Sequence, residues 1–358
     1  MKKILFSSYS LNLGGIETAL ITLLKNISSD YDITLVLEKK GGLFLKEVPE
    51  NVKIIEYKPS NNKITIIRKA INLFKQINFK RKYKDKFDFS ACYATYSYPC
   101  SFAARTASKN NALWVHNDYM NFYNNDENKY KSFFRKLKVE DYMKFVFVSE
   151  HDKNVFIKQF PEYEEKCVYC NNLIDYKKIQ NQADEEIQDL KPENELTTFI
   201  NLGRHDEKQK KLSRIIRATK RLNAENYHFR VIFIGDGADT ENYKREAEGI
   251  KNIQFLGSKK NPYPYLKQSD CLVMSSDYEG YPVVFIESLI LGKTIITTDV
   301  SDSRKDISGK YGLVIEKTSA GVYRGMKEFL DSGFEKKQFN PEKYNREILE
   351  KLKEIIIW

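Results

Sequence analysis

The chain has 358 residues, more than one hydrophobic core ordinarily supports, so we expect two domains. Its hydrophobic content of 41% with 13% aromatic residues excludes a disordered chain, and no apolar run approaches the roughly 18 residues that cross a membrane. The apolar run at the amino terminus is too short for a signal peptide, and the five cysteines form no even disulfide framework, so we predict a cytoplasmic protein.

The net charge of +10 falls mainly on the first half, because residues 1–175 hold 28 Lys and Arg against 20 Asp and Glu. Residues 63–86 alone carry nine basic residues and one acid, Asp85. Apolar residues recur at helical spacing in the same segment: Ile64, Ile67, Ile71, Phe74 and Ile77. Such a helix either lies on an anionic membrane surface or packs on its own domain with solvated lysines outside, and the pattern leaves both open. Nucleic acid is not expected as a partner, because no binding motif accompanies the charge.

Apolar runs that alternate with helical segments predict a parallel sheet in the first half. The predicted strands are 2–9, 32–38, 52–57, 89–96, 113–116, 145–149 and 167–171. After the first strand, the loop Gly14-Gly15-Ile16-Glu17 leads into a helix predicted at about 18–27. Strand and helix alternation implies right-handed crossovers and places ligands at the carboxyl ends of the strands.

Several polar residues follow these predicted strands. His116 stands where a strand runs out, either near a ligand or as a hydrogen-bonded loop residue, and Ser149 is predicted to cap a helix. Cys167 and Cys170 have no second pair of cysteines and no nearby His, so a buried strand explains them better than zinc.

The alternation of strands and helices restarts in the second half, after a polar segment at 177–195 that contains Pro192 and is predicted to be a linker with some helix. The predicted strands are 199–203, 231–235, 253–257, 270–276, 294–299 and 312–316, and a last helix is predicted from about 341 to 356. Arg204 follows the strand-ending Gly203, and Lys208, Lys210 and Lys211 come next.

The stretch 275–298 predicts a strand end, a tight loop, a helix and another strand. Pro282 suits the first helical position and Gly292 the carboxyl-end cap. Glu279 lies before this helix and Glu287 in its second turn, so the two carboxylates can face one bound molecule from different depths. The unpaired N–H groups of a helix amino terminus attract phosphate.

The phrase E-G-Y-P-V-V-F-I-E-S-L-I-L-G-K, from Glu279 to Lys293, resembles the E-x7-E signature of retaining glycosyltransferase family 4, among the glycosyl transferases of group 1. Other phrases resemble family elements too: Gly14-Gly15-Ile16-Glu17 its G-G-x-E, Asn172 to Asp175 its Asn-x-x-Asp, and Gly203-Arg204 with Gln209-Lys210-Lys211 its G-R…K. Thr294 departs from the family's usual Pro after the helix.

The resemblance implies the α/β glycosyltransferase B fold, with two tandem Rossmann-like domains facing across a cleft. Residues 1–174 would form the acceptor-side domain, and residues 175–340 would bind the nucleotide sugar. The helix at 341–358 would pack back on the first domain.

The resemblance also implies roles for individual residues. Glu279 would approach the donor sugar and Glu287 would hold the ribose hydroxyls. Arg204 and Lys210, the latter preferred over Lys211, would neutralise the diphosphate, and His116 would lie near the reacting sugar. Backbone at six further positions would approach the donor: Gly15, Gly203, Gly280, Tyr281, Pro282 and Val283.

The implied function is retaining, metal-independent transfer from a nucleotide-diphosphate sugar to a hydroxyl of a saccharide or lipid-linked saccharide, in synthesis of a bacterial envelope, capsule or exopolysaccharide. UDP is the favoured donor nucleotide, and no cofactor or metal is expected. The protein would sit peripherally on the inner face of the cell membrane. Two alternatives stay open: a non-catalytic scaffold subunit, and a nucleotide-sugar epimerase on the same fold.

Overall fold

The structure is a computed structural model that describes residues 1–12, 14–190, 196–335 and 337–357. It divides into two compact units. Unit 1 comprises Met1–Leu173 and the segment that begins at Asn345, and unit 2 comprises Ile174–Tyr344. Pro192 and the rest of 191–195, within the predicted linker, lie outside the described residues, as does Trp358 of the predicted last helix.

Unit 1 contains a sheet of seven strands, all of which pair in parallel. The strands are β1 Lys3–Ser8, β2 Asp32–Leu37, β3 Lys53–Glu56, β4 Phe89–Cys92, β5 Asn111–Val115, β6 Lys144–Phe147 and β7 Cys167–Tyr169. Their order is β3-β2-β1-β4-β5-β6-β7. Every strand predicted in the first half is therefore present. Cys167 lies in a strand as predicted, whereas Cys170 is buried just after β7 ends at Tyr169.

Helices connect these strands. They are α1 Gly15–Ile27, α2 Thr65–Tyr83, α3 Tyr98–Ala107, α4 Tyr119–Phe122, α5 Glu127–Lys136 and α6 Glu150–Gln159, with single 3-10 turns at Leu43–Glu47, Val139–Asp141 and Pro161–Lys166. Ser149 caps α6 as predicted, because its hydroxyl accepts a hydrogen bond from the Asp152 N–H at 3.2 Å.

Unit 2 contains a six-stranded parallel sheet in the order β10-β9-β8-β11-β12-β13. Its strands are β8 Thr197–Leu202, β9 Phe229–Ile234, β10 Ile253–Phe255, β11 Cys271–Met274, β12 Thr294–Thr298 and β13 Gly312–Ile315. Its helices are α7 Tyr176–Gln182, α8 Ser213–Ala224, α9 Thr240–Glu246, α10 Tyr263–Gln268, α11 Val283–Ile290, α12 Ser303–Asp306 and α13 Ser319–Ser332. All six predicted strands of this half are present.

The central strands of both sheets are buried on two faces, which explains their unbroken apolar runs. Every residue of β9 is buried, for example, and β9 packs under α8 and α13 in the core of unit 2. In unit 1 one core cluster is rich in phenylalanines, including Phe134, Phe145 and Phe156. Packing of these cores fixes the positions at which the chain leaves each strand.

The strand order reverses once in each sheet. In unit 1 the chain moves outward from β1 to β3 and then returns to place β4 on the other side of β1. In unit 2, β11 lies on the other side of β8 in the same way. Loops leaving two such neighbouring strands diverge, and the crevice between them is where open α/β sheets bind ligands. We call these places the β1/β4 and β8/β11 switch points.

Two predicted boundaries in unit 1 were wrong. The strand predicted at 89–96 ends at Cys92, because the chain turns there and the Ser97 N–H donates to the Ala94 carbonyl at 3.0 Å. The helix predicted from residue 18 begins at Gly15, because the Gly14 carbonyl already accepts the Thr18 N–H at 2.9 Å. Gly14 is therefore the N-cap, and Gly15 belongs to the helix.

The last helix, α14, spans Pro341–Ile357 and carries buried residues at helical spacing: Ile348, Leu352, Ile355 and Ile356. Within unit 1, the Lys144 ammonium donates to the Ile355 carbonyl at 3.3 Å. The ammonium of Lys351 lies 4.9 Å from the centre of the Tyr169 ring. These contacts hold the end of α14 against β6 and β7.

The basic helix α2 packs through one side only. Phe79 is buried against Tyr57 and Phe102, with ring centres 4.8 and 5.9 Å away. Apolar residues on the other side are open to solvent, with exposed fractions of 80% for Ile66, 58% for Leu73, 71% for Phe74 and 56% for Ile77. When α2 packs on unit 1, its lysines and one apolar face therefore both remain exposed to solvent. Within the described residues no helix is long and apolar enough to cross a membrane.

Gly235, which follows β9, makes a close backbone contact whose importance for stability a substitution can test. Gly235 has φ +142°, and a Cβ built there would lie 1.8 Å from the Gly203 carbonyl oxygen. We expect Gly235→Ala to lower the free energy of unfolding by about 3 kcal/mol, measured by urea denaturation. Gly249→Ala is the matched control, since Gly249 also has positive φ but has no atom within 4 Å of the built Cβ, and it should cost only about 1 kcal/mol. Equal losses would contradict the steric argument.

Candidate active site

The loops that leave β8 and β11 are bonded to each other. The Asp277 N–H donates to the Gln209 carbonyl at 2.8 Å, and the Ser275 hydroxyl lies 3.0 and 2.9 Å from the Lys210 and Lys211 carbonyls. Arg214, at the start of α8, donates to the Ser275 carbonyl at 2.8 Å and pairs with Asp277 at 2.7 Å. This bonding fixes the positions from which Lys210 and Glu279 project.

Glu279 is buried, with 7% of its surface exposed, and its carboxylate is held by three side chains. Oε1 accepts hydrogen bonds from the Lys210 ammonium at 2.6 Å and the Ser276 hydroxyl at 2.7 Å. Oε2 lies 3.4 Å from the Gln209 amide nitrogen. A buried carboxylate needs such a cation, because an uncompensated charge is costly to bury.

Gln209 connects this pair to Arg204. Its amide nitrogen also donates to the Tyr278 carbonyl at 3.1 Å, and its amide oxygen accepts a hydrogen bond from the Arg204 guanidinium at 3.0 Å. Arg204 is 64% exposed and also lies 3.4 Å from Asp206. A Cβ built at Gly203 would lie 3.8 Å from Lys210 Cε, so the lysine side chain passes over that glycine. The structure thus brings Gly203, Arg204, Lys210 and Glu279 together.

The helix α11 begins directly after these residues. Gly280, Tyr281 and Pro282 are buried. Pro282 was predicted to be the first helical residue, but it is the N-cap, with ψ 112°. That extended ψ delays the helix to Val283. Among the described residues no side chain caps this end by a hydrogen bond, and its first turn holds no acid. The amino terminus of α11 therefore keeps its positive dipole end uncompensated by a local carboxylate.

The carboxyl end of α11 is capped at Gly292, as predicted. Gly292 has φ +68°, its N–H donates to the Leu289 carbonyl at 3.1 Å, and the Lys293 N–H donates to the Ser288 carbonyl at 2.8 Å. This pair of bonds is a Schellman motif, which favours glycine at the left-handed position.

Glu287 lies in the second turn of α11, and Oε1 accepts a hydrogen bond from the Tyr263 hydroxyl at 3.1 Å. Burial raises the pKa of Glu287 to about 7, and the bond from Tyr263 offsets part of the rise. Sequence analysis missed Tyr263, because it comes from α10 and no local pattern links it to Glu287.

Gly15 and His116 belong to unit 1, whereas the residues above belong to unit 2. Gly15 is the first residue of α1. The ring of His116 lies 4.4 Å from the Tyr93 ring, and burial lowers the pKa of His116 to about 3, so the imidazole is neutral near pH 7. Its Nε2 is buried and has no hydrogen-bond partner among the described residues.

One group of side chains among the described residues has metal-ligand chemistry, and it belongs to unit 1. In the described chain Asp118, His151 and Asp152 of unit 1 bring ligand atoms within 4.8 Å of one another. One Asp118 oxygen also caps α4 through the Asn121 N–H at 2.9 Å. In unit 2, Asp236 accepts the Thr240 hydroxyl at 2.6 Å and Asp299 pairs with Arg304 at 2.7 Å, so both have structural roles.

Unit 2 matches a known sequence family. Residues 182–347 match the family model described as glycosyl transferases group 1. The chain is 28% identical over 208 residues to an uncharacterized glycosyltransferase of Methanocaldococcus jannaschii, a match that covers 54% of this chain and 49% of that protein. The chain thus spans about half the length of this relative.

A second relative matches almost end to end. It is the N-acetylgalactosamine-N,N'-diacetylbacillosaminyl-diphospho-undecaprenol 4-alpha-N-acetylgalactosaminyltransferase of Campylobacter jejuni, 24% identical over 344 residues, which cover 92% of this chain and 91% of that protein. Among solved structures, Anabaena HepE in complex with UDP and glucose is similar in fold, with a TM-score of 0.70 and 14% identity over 99% of this chain and 100% of that chain.

The two parallel Rossmann-like sheets and this structural likeness define the glycosyltransferase B fold that the sequence predicted. The group 1 family match and the relatives that are named as glycosyltransferases support a transferase of class EC 2.4. The residues that match the group 1 model, 182–347, lie almost entirely within unit 2.

The raised pKa of Glu287 predicts a pH-dependent cost to stability. The ordinary value of 4.5 rises to about 7 in the fold, so stability present at low pH is lost as pH rises through 7. We expect the gain in unfolding free energy from Glu287→Gln to be about 2 kcal/mol larger at about pH 8 than at about pH 5, by urea denaturation. The control is Glu248→Gln at an exposed site, whose effect on the free energy of unfolding should be the same at both pH values. A flat difference for Glu287→Gln would show that the carboxyl titrates normally.

Proposed function

We propose that the protein transfers a sugar from a nucleotide-diphosphate sugar to a hydroxyl of a saccharide or lipid-linked saccharide acceptor, retaining the anomeric configuration and using no metal. One observation carries the proposal. The β8/β11 switch point gathers Arg204, the Lys210–Glu279 pair and the uncapped amino terminus of α11 at one place in unit 2.

The diphosphate of the donor is assigned to the amino terminus of α11, with Arg204 and Lys210 beside it. Backbone N–H groups of the first turn donate to phosphate oxygens, and an exposed guanidinium offers a fork that matches them. The ammonium of Lys210 has three donors, one of which goes to Glu279. These fixed positive groups stabilise the charge that develops on the departing diphosphate, which is the role a metal serves elsewhere.

The two glutamates receive different roles. Glu279 faces the sugar, where its carboxylate stabilises the oxocarbenium-like centre and is itself held by Lys210 and Ser276. Glu287, one turn deeper and bonded to Tyr263, accepts hydrogen bonds from the ribose hydroxyls. UDP is the proposed nucleotide, because the similar HepE structure contains UDP. Retention follows from attack of the acceptor hydroxyl on the face that the diphosphate leaves.

Two other functions give different products. A scaffold subunit without activity is disfavoured, because Arg204, Lys210 and Glu279 form one connected network. A nucleotide-sugar epimerase would change the donor sugar without any acceptor. Proton NMR of the donor after incubation without acceptor tests for epimerisation, because an epimer keeps the donor's mass but changes the couplings of its sugar protons, whereas hydrolysis releases UDP.

Substitutions at the network test the proposed transfer. With a panel of UDP-hexoses as donors and octyl glycosides as acceptors, we expect Glu279→Ala to lower kcat about 100-fold. Arg204→Ala should raise the donor KM about tenfold. The measurement is UDP release, and EDTA should leave the wild-type rate unchanged.

Arg304→Ala is the matched control for this test, since Arg304 is an exposed arginine of the same unit that pairs with Asp299. Undiminished rates for Glu279→Ala and Arg204→Ala would contradict the site assignment. Loss of activity in EDTA that added magnesium restores would contradict metal independence.

We further propose that the protein is cytoplasmic and rests peripherally on the anionic inner face of the cell membrane through α2. Cations flank the exposed face of Ile66, Leu73, Phe74 and Ile77. The segment 63–86 contains a single acid, Asp85. Apolar side chains can enter the headgroup region while basic residues meet anionic lipid. The name of the Campylobacter relative, which specifies a diphospho-undecaprenol acceptor, supports a lipid-linked saccharide acceptor in envelope or surface polysaccharide synthesis.

Vesicle sedimentation tests the membrane proposal. Phosphatidylcholine vesicles with phosphatidylglycerol should bind the wild type in a salt-sensitive manner, and vesicles without it should bind much less. Lys69→Glu with Arg81→Glu should weaken binding at least about tenfold, since each cation contributes about 1 kcal/mol. Leu73→Ser with Phe74→Ser should weaken it too, whereas Leu43→Ser, at a site 68% exposed elsewhere in unit 1, should not. Equal binding by all variants would rule α2 out as the contact.

A further inference from the structure

The β1/β4 switch point of unit 1 carries an exposed pair of tyrosines. Tyr9 follows β1 directly, and Tyr96 lies in the loop that leaves β4. Their ring centres are 6.0 Å apart with planes tilted by 58°, and their exposed fractions are 39% and 42%. This pair therefore lies in unit 1 at the position that the Arg204 and Glu279 network takes in unit 2.

The exposure of these rings sets them apart from the aromatic residues of the core. Large aromatic side chains stabilise a fold by burial, and unit 1 places many of them in its phenylalanine-rich core. Tyr98 and Phe122, which follow β4 and β5, are likewise 45% and 41% exposed. Exposed aromatic residues thus gather at the carboxyl edge of the sheet, which is where such sheets bind ligands.

A carboxylate lies beside the tyrosine pair. Glu17 lies in the first turn of α1, where burial raises the pKa of its carboxyl above the ordinary value and the neighbouring Tyr96 side chain offsets part of that rise. A Cβ built at Gly14 would lie 2.3 Å from Glu17 Oε2, so glycine at that position leaves room for the carboxylate. Two rings and an oriented acceptor group therefore share one small surface.

We propose that Tyr9 and Tyr96 bind a sugar ring of the acceptor, with Glu17 accepting hydrogen bonds from its hydroxyls. One face of a pyranose presents C–H groups, which pack on the electron-rich faces of aromatic rings, and its edge presents hydroxyl donors. A nucleotide or a phosphorylated group fits this surface poorly, because the Glu17 carboxylate repels a second negative charge. The inference rests on the proposed function and assigns the saccharide of the acceptor to unit 1.

Saturation-transfer NMR tests the proposal with named probes. The probes are the octyl glycosides of glucose, galactose, N-acetylglucosamine and N-acetylgalactosamine, with UDP added as a reporter of the donor site. The wild type should transfer saturation to the ring C–H protons of at least one glycoside. Tyr9→Ala and Tyr96→Ala should each weaken its binding about tenfold, while UDP binding stays unchanged.

Two further variants separate stacking from a general loss of structure. Tyr9→Phe keeps the ring and should bind like the wild type. Met143→Ala removes a side chain that is 52% exposed at the amino end of β6 in the same unit, and it should have no effect. Wild-type protein that binds none of the glycosides, or alanine variants that bind them undiminished, would overturn the inference. Failure of the wild type to bind UDP would instead overturn the proposed donor, and the glycoside signals would still report on the tyrosines.

Discussion

The ion pair between Lys210 and Glu279 is the contact on which the rest of the site depends. It joins the loop after β8 to the loop after β11 at 2.6 Å, with Glu279 buried. A carboxylate in that position is tolerated because the ammonium, Ser276 and Gln209 surround it, and removal of the cation would leave an uncompensated buried charge. The same pair holds a cationic hydrogen-bond donor and an anionic acceptor 2.6 Å apart before any ligand binds.

The two switch points differ in chemistry although the sheets share one topology. The β8/β11 switch point of unit 2 is ionic. Arg204 is exposed there, and Gln209 links it by hydrogen bonds to the buried Glu279. The β1/β4 switch point of unit 1 is aromatic, with Tyr9 and Tyr96 exposed. Strand order thus fixes where the crevice of each sheet lies, and the residues after the strands set the chemistry of that crevice.

The strands could be predicted from the sequence because both faces of each parallel sheet are buried, which leaves unbroken apolar runs such as Phe229–Ile234. The Gly292 cap could be predicted because the left-handed position of a Schellman motif favours glycine. The errors fell at boundaries. The helix that begins at Gly15 and the strand that ends at Cys92 are set by single hydrogen bonds that periodicity does not encode.

The candidate site divides in the same way. Residues that stand in recognisable phrases, such as Arg204 and Glu279, could be named from the sequence, whereas their connection through Gln209 could not, because it joins loops some 70 residues apart. The bond from Tyr263 to Glu287 and the outward apolar face of α2 likewise depend on tertiary packing. Sequence pattern predicts which residue types stand at a strand end, and the fold decides which of them meet.

Calorimetric titration with UDP and with uridine tests the central claim most directly, because the two ligands differ only in the diphosphate. If that group rests against α11 beside Lys210, UDP should bind at least about 100-fold more tightly than uridine, and Lys210→Met should remove most of the difference. Equal affinity of the wild type for the two ligands would contradict a diphosphate site at the β8/β11 switch point.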